Sequence, residues 1–161
     1  MTVLVPMRPA SYPAWLESAI TDYAEDNVAS GRWPAAGAVA RSRAEFASLL
    51  PRGLATPGNH LFEILVHDGG PVAGFIWLAI EHRDDGISGF VYDLKIDPGH
   101  RRQGHASRAL TALEAVARAQ GATSLGLHVF AFNAGARALY ERLGYRVASL
   151  NLRKPLGGEP A

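Results

Sequence analysis

Residues 93–107 decide the fold, and they read DLKIDPGHRRQGHAS. The first four residues end a strand-like run, and the Asp-Pro-Gly that follows is a turn signal. Beyond it, apolar residues recur with the helical period of 3.6 residues. They are Ala106, Ala109, Leu110, Leu113, Val116 and Ala117. The sequence therefore predicts a strand that turns directly into a long helix over residues 104–120, which Gly121 ends.

The segments on either side of this junction follow two different patterns. Before it, the sequence predicts helices over residues 11–29 and 39–50 and strands over residues 61–66, 72–80 and 89–96. After it, the sequence predicts a strand over residues 125–130, a helix over 133–143 and a strand over 145–152. Short turns make the first strands an antiparallel meander, whereas strands that alternate with helices are typical of a parallel crossover. We expect an α+β fold with a mixed, mostly antiparallel sheet and flanking helices.

The turn before the long helix has the chemistry of an anion site. It contains Arg101, Arg102 and Gln103, then Gly104, His105, Ala106 and Ser107. The backbone N–H groups at a helix start attract phosphate through hydrogen bonds and the helix dipole, and Gly104 allows close approach. The pattern is neither a P-loop nor a dinucleotide fingerprint. The alternative is an ordinary helix start with two solvated arginines.

Composition limits the classes of function. The 161 residues include 16 Lys and Arg against 15 Asp and Glu, and this balance disfavours a nucleic-acid partner. The charge is uneven, since residues 1–98 hold 7 basic and 12 acidic side chains while the rest hold 9 and 3. The chain has no cysteine, which excludes thiolate chemistry, and its six histidines show no metal-ligand spacing.

Length and hydropathy indicate one domain of common size. We expect a single domain over residues 1–154 and a frayed Gly- and Pro-rich tail over 155–161. The longest apolar run, residues 72–80, is too short to span a bilayer, and residues 1–10 lack the apolar core of a signal peptide. A cytoplasmic protein without a membrane partner is therefore expected.

A second set of motifs follows the helix start at the spacing of a known family. Arg101, Gly104 and Ala106 match a Gln/Arg-x-x-Gly-x-Gly/Ala turn. The later matches are Asn133, Ala136, Leu139, Tyr140, Gly144 and Tyr145. Each motif is weak alone, but together they resemble the GNAT superfamily of acetyl-CoA-dependent N-acetyltransferases over about residues 90–146.

The resemblance implies a cofactor-binding arrangement. In that family two central parallel strands splay apart, here residues 93–96 and 125–130, and the pantetheine arm of acetyl-CoA lies between them. The main chain of Leu94 and Ile96 would contact this arm, with a backbone N–H near Leu94 as oxyanion donor. The turn from Arg101 to Ser107 would hold the pyrophosphate. Asn133 would contact pantetheine or a water, or would only cap the next helix.

The resemblance also implies catalytic roles. Tyr140 matches the family's general acid, which protonates the departing CoA thiolate, while Tyr145 is expected in the core. Many members place a basic glutamate on the strand before the pyrophosphate turn, but this chain has none there. Asp93 is the first candidate base, Glu81 the second, and a water chain the third. A salt bridge or turn contact would equally explain Asp93.

These observations predict an acetyl-CoA-dependent N-acetyltransferase that needs no metal and acts on a primary amine, by direct attack of the amine on the thioester. A catalytically silent acyl-CoA sensor and a phosphate-binding module are the alternatives. Trp33 and Tyr23, together with three acidic residues, would line the acceptor site between the first two helices, or would only form a helix–helix contact with a solvated acidic face. The acidic residues are Asp22, Glu25 and Asp26. A homodimer is possible, because dimers are common among members of the family.

Overall fold

A mixed five-stranded sheet forms the centre of the computed structural model, which describes residues 1–157. The strands lie side by side in chain order: β1 (Val3–Pro6), β2 (Asn59–Leu65), β3 (Val72–Arg83), β4 (Gly86–Ile96) and β5 (Ser124–Leu127). The helices are α1 (Tyr12–Ala29), α2 (Ala38–Leu49), α3 (His105–Ala119) and α4 (Ala134–Arg142). The first three strand pairs are antiparallel, and β4 and β5 are parallel. The expected fold class is confirmed.

Alternation along β3 and β4 builds a core on each face of the sheet, since successive strand residues point to opposite sides. One core joins the sheet to α3 through residues that include Ile76, Leu78, Leu110 and Leu113. The other joins it to α1 and α2 through Trp15, Ile20, Phe46 and Trp77. A fully buried leucine, isoleucine or phenylalanine side chain contributes about 1.5–3 kcal/mol, so this packing holds the sheet between the helices.

A β-bulge changes the course of β4. Trp77 pairs with Asp93, but the next residue, Leu78, pairs with Val91, which leaves Tyr92 as an extra residue. Just beyond, Gly74 pairs with Ile96, where a Cβ on the glycine would lie 2.0 Å from the Lys95 carbonyl oxygen. Only glycine therefore permits this close approach of β3 to the end of β4.

The structure corrects three expectations about strands. Residues 145–152, expected as a strand, have no regular secondary structure, and β5 ends at Leu127 instead of residue 130. In consequence the parallel pair lies at an edge of the described sheet and not at its centre. The sequence analysis also missed β1, a strand of 4 residues that is too short to show a period.

The expected tail lies partly outside the structure. Residues 155–157 have no regular secondary structure, and residues 158–161 are outside the described residues. Within residues 1–157, no helix is long and apolar enough to cross a membrane.

Candidate active site

The parallel pair of strands opens where β5 ends. β4 and β5 pair from Ser88 and Ser124 as far as Val91 and Leu127. From residue 92 to Ile96, β4 continues along β3 with no strand on its other side within the described chain. Because an unpaired strand edge presents backbone donors and acceptors, an extended ligand can add here as a strand would. Leu94 and Ile96 lie on this segment and pack against the core on the α3 side.

The turn between β4 and α3 ends in two left-handed residues. Arg102 has φ 62° and Gly104 has φ 82°, and Arg102 is the only non-glycine residue with positive φ in the part of the chain described. No protein acceptor is found in residues 1–157 for the N–H groups of Gln103, His105, Ala106 and Ser107. Free N–H groups at the start of a 15-residue helix form an anion-binding concavity.

The arginines of this turn have different surroundings. Arg101 is exposed, and its Nε donates to the carbonyl oxygen of Ile96 at 3.0 Å, beside the end of β4. Arg102 is exposed as well. Arg108 instead braces the turn, because its Nη2 donates to the Gln103 carbonyl oxygen at 2.7 Å and its Nε to Thr2 Oγ1 at 2.8 Å. Arg101 and Arg102 are therefore better placed than Arg108 to reach a phosphate.

Thr2, in the N-terminal segment, also contacts two residues of this turn and of α3. Thr2 Oγ1 lies 2.9 Å from Nδ1 of His105, whose residue is 4% exposed. Burial and the nearby charges of Arg108 and His100 lower the pKa of His105, so its ring is neutral at pH 7. Thr2 thus links the first residue of α3 to the arginine that braces the turn. Thr2 was not recognised from the sequence, since contacts over 103 residues leave no local pattern.

Asp93 lies on the face of β4 opposite to Leu94. Its Oδ2 accepts a hydrogen bond of 3.1 Å from Nε1 of Trp15 on α1. Burial raises the pKa of Asp93 to about 6, the Trp15 hydrogen bond opposes the rise, and the charge of Asp22 adds to it. A carboxyl group that titrates near neutral pH is suited to accept a proton from an ammonium group.

Tyr140 lies on α4, half-buried against the α3-side core. Burial raises its pKa above 10, and the negative charge of Asp93 raises it further. The structure thus brings Tyr140 and Asp93 into one electrostatic environment, although 47 residues separate them in the sequence. With its pKa raised, the phenol keeps its proton at neutral pH and can donate it.

Asn133 is the N-cap of α4. Its Oδ1 accepts a hydrogen bond of 3.2 Å from the N–H of Ala136. The capping role that the sequence allowed is therefore present, and among residues 1–157 no acceptor is found for the Nδ2 group. Tyr145, expected in the core, is half-buried and packs its ring 5.8 Å from that of Tyr140.

Glu81 lies apart from Asp93. Glu81 pairs with Ser88, near the start of β4, whereas Asp93 pairs with Trp77. Glu81 is four residues from Trp77 along β3, which at the rise of a strand places it about 13 Å from the position of Asp93. Its Oε2 forms an ion pair with Nη2 of Arg83, at 2.6 Å. The structure does not bring the two candidate bases together.

The carboxylates that were expected to line the acceptor site are partly neutralised by an ion pair. Asp22 forms a 2.6 Å ion pair with Lys95 of β4, and Asp26 and Glu25 are exposed on α1. Trp33 is buried in a small cluster and packs 5.5 Å from the ring of Tyr23. Trp33 therefore fills a helix contact, which was the alternative interpretation. Within residues 1–157, no group of three His, Asp or Glu side chains is placed to hold a metal ion.

One aromatic residue beside Asp93 was missed. Tyr92, the bulged residue, is 37% exposed and stacks on Trp77 at 4.7 Å. Because Trp77 packs against α1, Tyr92 lies on the face of the sheet that α1 covers. The sequence places Tyr92 in a strand, but only the register shift shows that it shares a face with Asp93.

Comparison with known proteins agrees with this geometry. The model of the acetyltransferase (GNAT) family matches residues 19–145. The uncharacterized N-acetyltransferase YycN of Bacillus subtilis (strain 168) is 36% identical over 157 residues, which are 97% of this chain and 100% of YycN. The uncharacterized N-acetyltransferase YdgE of the same organism is 31% identical over 150 residues, covering 93% of this chain and 95% of YdgE. The crystal structure of YycN superposes with a TM-score of 0.91 at 35% identity, covering 97% of this chain and 99% of that one.

Proposed function

Because the chain belongs to the GNAT family of acetyltransferases, we propose that it transfers an acetyl group from acetyl-CoA to a primary amine by direct attack on the thioester. The observation that carries the proposal is the unpaired edge of β4 between residue 92 and Ile96, which leads into the free N–H groups at the start of α3. An extended arm that ends in a pyrophosphate fits such a path, since one part needs strand-like pairing and the other needs anion donors.

Binding would use the main chain more than side chains. The pantetheine arm would pair with Leu94 and Ile96, while the pyrophosphate would lie against the N–H groups of residues 103–107. Arg101 and Arg102 would contact phosphate oxygens, and the free amide donor of Asn133 would contact the arm or a bound water. A backbone N–H near Leu94 would stabilise the negative charge that develops on the thioester oxygen.

Two side chains would move the protons. An ammonium group has no lone pair, so the acceptor must lose a proton before it attacks. Asp93 would take that proton, directly or through water, because its raised pKa of about 6 makes it basic enough to do so near neutral pH. Glu81, ion-paired and distant from Asp93, is the weaker candidate. Tyr140 would act as the general acid by donating a hydrogen bond from its phenol to the departing sulfur. Because the reference pKa of a phenol lies above that of a thiol, the phenol still carries its proton when the thiolate leaves.

The acceptor would enter from the α1 side of the opening, where Asp93 and Tyr92 lie. The remaining carboxylates there, Asp26 and Glu25, would favour a positively charged amine. Small metabolites and protein amino groups share this chemistry. A panel of both, scored by thiol release from acetyl-CoA, would distinguish them, and preference for neutral or anionic acceptors would contradict the charge argument.

Calorimetry with acetyl-CoA and turnover assays together test the function. We expect acetyl-CoA to bind and to release CoA only when an amine is present. Gly104→Glu should abolish binding, since φ 82° at position 104 strains any residue with a side chain and the added carboxylate would repel phosphate. The exposed Gly99→Glu is the matched control. Binding without turnover for any amine would instead support an acyl-CoA sensor, and equal affinity for ATP would support a general phosphate-binding module.

A further inference from the structure

Lys95 is the second charged residue on the unpaired segment of β4, after Asp93. One residue separates the two, so their side chains lie on the same face of the strand, with Cα atoms about 6.6 Å apart. They pair with Trp77 and Phe75 of β3, which pack in the core beneath α1 and α2. The α1 side of the opening therefore carries a carboxylate with an ammonium group next to it.

Lys95 contacts α1 two turns beyond Trp15. Its Nζ donates to Oδ2 of Asp22 at 2.6 Å and lies 3.4 Å from Oγ of Ser18. Positions 15, 18 and 22 share one face of α1, because steps of three and four residues are each about one helical turn. One face of α1 thus supplies both the indole N–H that contacts Asp93 and the carboxylate that contacts Lys95.

Both members of this ion pair act on the titration of Asp93. Burial is the main cause of its raised pKa and the Trp15 hydrogen bond opposes it, while the charge of Asp22 raises the pKa further and that of Lys95 lowers it. The other groups around Asp93 are neutral near pH 7, and burial raises the pKa of both tyrosines among them. These groups are Trp15, Trp77, Tyr92 and Tyr140. The charge beside Asp93 in the described chain is therefore that of the ion pair.

We propose that Lys95 and Asp22 form a positioning pair for Asp93, whose opposite charges balance beside the carboxylate so that it can change its charge near neutral pH. The inference rests on the proposed function, in which Asp93 takes the proton of the amine. With Asp22 alone, the neighbouring negative charge would keep Asp93 protonated up to higher pH, where it cannot accept a proton. With Lys95 alone, the positive charge would make Asp93 a weaker base and would repel a cationic acceptor.

A contact that only holds α1 against β4 would use the same atoms, but it predicts a different result. Loss of either member would then loosen α1 in the same way, and both losses would change Asp93 in the same direction. A balance of charge instead predicts opposite directions for the two losses. Both variants should fold, because the Lys95 and Asp22 side chains are 36% and 45% exposed and such ion pairs contribute little to stability.

The indole N–H of Trp15 reports the charge of Asp93 without any substrate, because it donates to that carboxylate. In a chain labelled with nitrogen-15, its resonance, assigned by its loss in Trp15→Phe, should titrate with a midpoint at a pH of about 6. Lys95→Met should raise this midpoint and Asp22→Asn should lower it, each by on the order of half a pH unit. The Asp22→Asn/Lys95→Met double variant and the conservative Lys95→Arg should both return it to the wild-type value.

Glu17→Gln is the matched control, because it breaks another ion pair of α1, with Arg43, whose charges are not among those that act on Asp93. Its midpoint should equal that of the wild type. Single variants that move the midpoint in the same direction, or that leave it in place, would overturn the proposal.

The pH profile of kcat/KM, measured with the best acceptor of the amine panel, should follow the same midpoints. The resonance needs no turnover, so it tests the pair even if no amine is acetylated. Midpoints that move in opposite directions while the rates do not follow them would support the pair and would contradict the role of Asp93 as the base in the proposed function.

Discussion

The indole N–H of Trp15 donates to a carboxylate oxygen of Asp93 across 3.1 Å, although 78 residues separate them. Trp15 is buried between α1, α2 and the sheet, with its ring 5.8 Å from Trp77 and 6.2 Å from Phe46. This aromatic packing fixes the direction of the donor. Burial raises the pKa of Asp93, and this hydrogen bond from α1 opposes the rise because it stabilises the charged carboxylate.

Asp93 and Trp15 should therefore shape the pH dependence of acetyl transfer. We expect kcat/KM to fall as the pH drops through about 6, where Asp93 takes up a proton. We expect Asp93→Asn to reduce kcat/KM by roughly 10²–10⁴-fold. Trp15→Phe removes a bond that lowers the pKa of Asp93, so the acidic limb should move to higher pH. Rates measured from pH 5 to 9 test this. Trp77→Phe, which also alters the aromatic cluster, should leave the limb in place; identical profiles for all variants would mean that Asp93 is not the base.

Tyr140 should affect turnover more than binding. Tyr140→Phe removes the proton donor, and we expect kcat to fall by roughly 10–1,000-fold while the KM for acetyl-CoA changes little. Tyr145→Phe is the matched control, because the Tyr145 hydroxyl is buried without a partner in the described structure. Steady-state kinetics of both variants provide the measurement. Wild-type turnover in Tyr140→Phe would refute the general-acid role.

Thr2 should act as a positioning residue for acetyl-CoA. Thr2→Val keeps the shape of the side chain but removes the oxygen that contacts both His105 and Arg108. We expect the KM for acetyl-CoA to rise several-fold with kcat nearly unchanged, since the turn loses its brace and the reacting groups do not. Thr2→Ser should restore the wild-type KM. A purely structural role would instead lower the melting temperature of Thr2→Val without this split between KM and kcat.

Glu63 should make the fold sensitive to acid. Its side chain is 1% exposed on β2 and accepts hydrogen bonds from Arg8 and Ser11, and the Arg8 guanidinium lowers its pKa. The stabilisation is complete above the unfolded pKa of about 4.3 and is lost as the pH falls through the lower folded value. Glu63→Gln should cost about 1.5–3 kcal/mol of unfolding free energy at pH 7, since it weakens hydrogen bonds to a charged group but leaves only the exposed Arg8 without its partner, and it should cost less below pH 4.

Urea unfolding at pH 7 and pH 3.5 measures this difference. Glu17→Gln is the control, because Glu17 also pairs with an arginine but is exposed. Its unfolding free energy should barely change at either pH. A Glu63→Gln variant that loses equal stability at both values would indicate a packing defect instead of the loss of an ionised group.

Most helices and the order of elements were predictable, because their signals are local. The helical period over residues 104–120 gave α3 to within a residue at each end, and hairpin turns gave the antiparallel pairs. The prediction of a strand at residues 145–152 was wrong for a physical reason. A strand-like composition shows that a segment suits a sheet, but pairing also needs a free strand edge within reach. The contacts of this segment with α4 and, through Arg153, with Gly31 hold it away from β5.

The candidate site also has a part that the sequence predicts and a part that only the folded structure shows. The turn from Arg101 to Ser107 is contiguous, so its anion-binding chemistry follows from the residues alone: a glycine in the left-handed region and free N–H groups at a helix start. Only the folded structure shows that Arg108 braces the turn through Thr2, which leaves Arg101 and Arg102 to contact a phosphate. The raised pKa of Asp93 likewise depends on its burial beneath α1. The sequence by itself determined the family motifs and the helices. Tertiary structure decided the charge state of Asp93, its separation from Glu81 and the unpaired edges of β4 and β5, because burial and strand pairing depend on residues that only folding brings together.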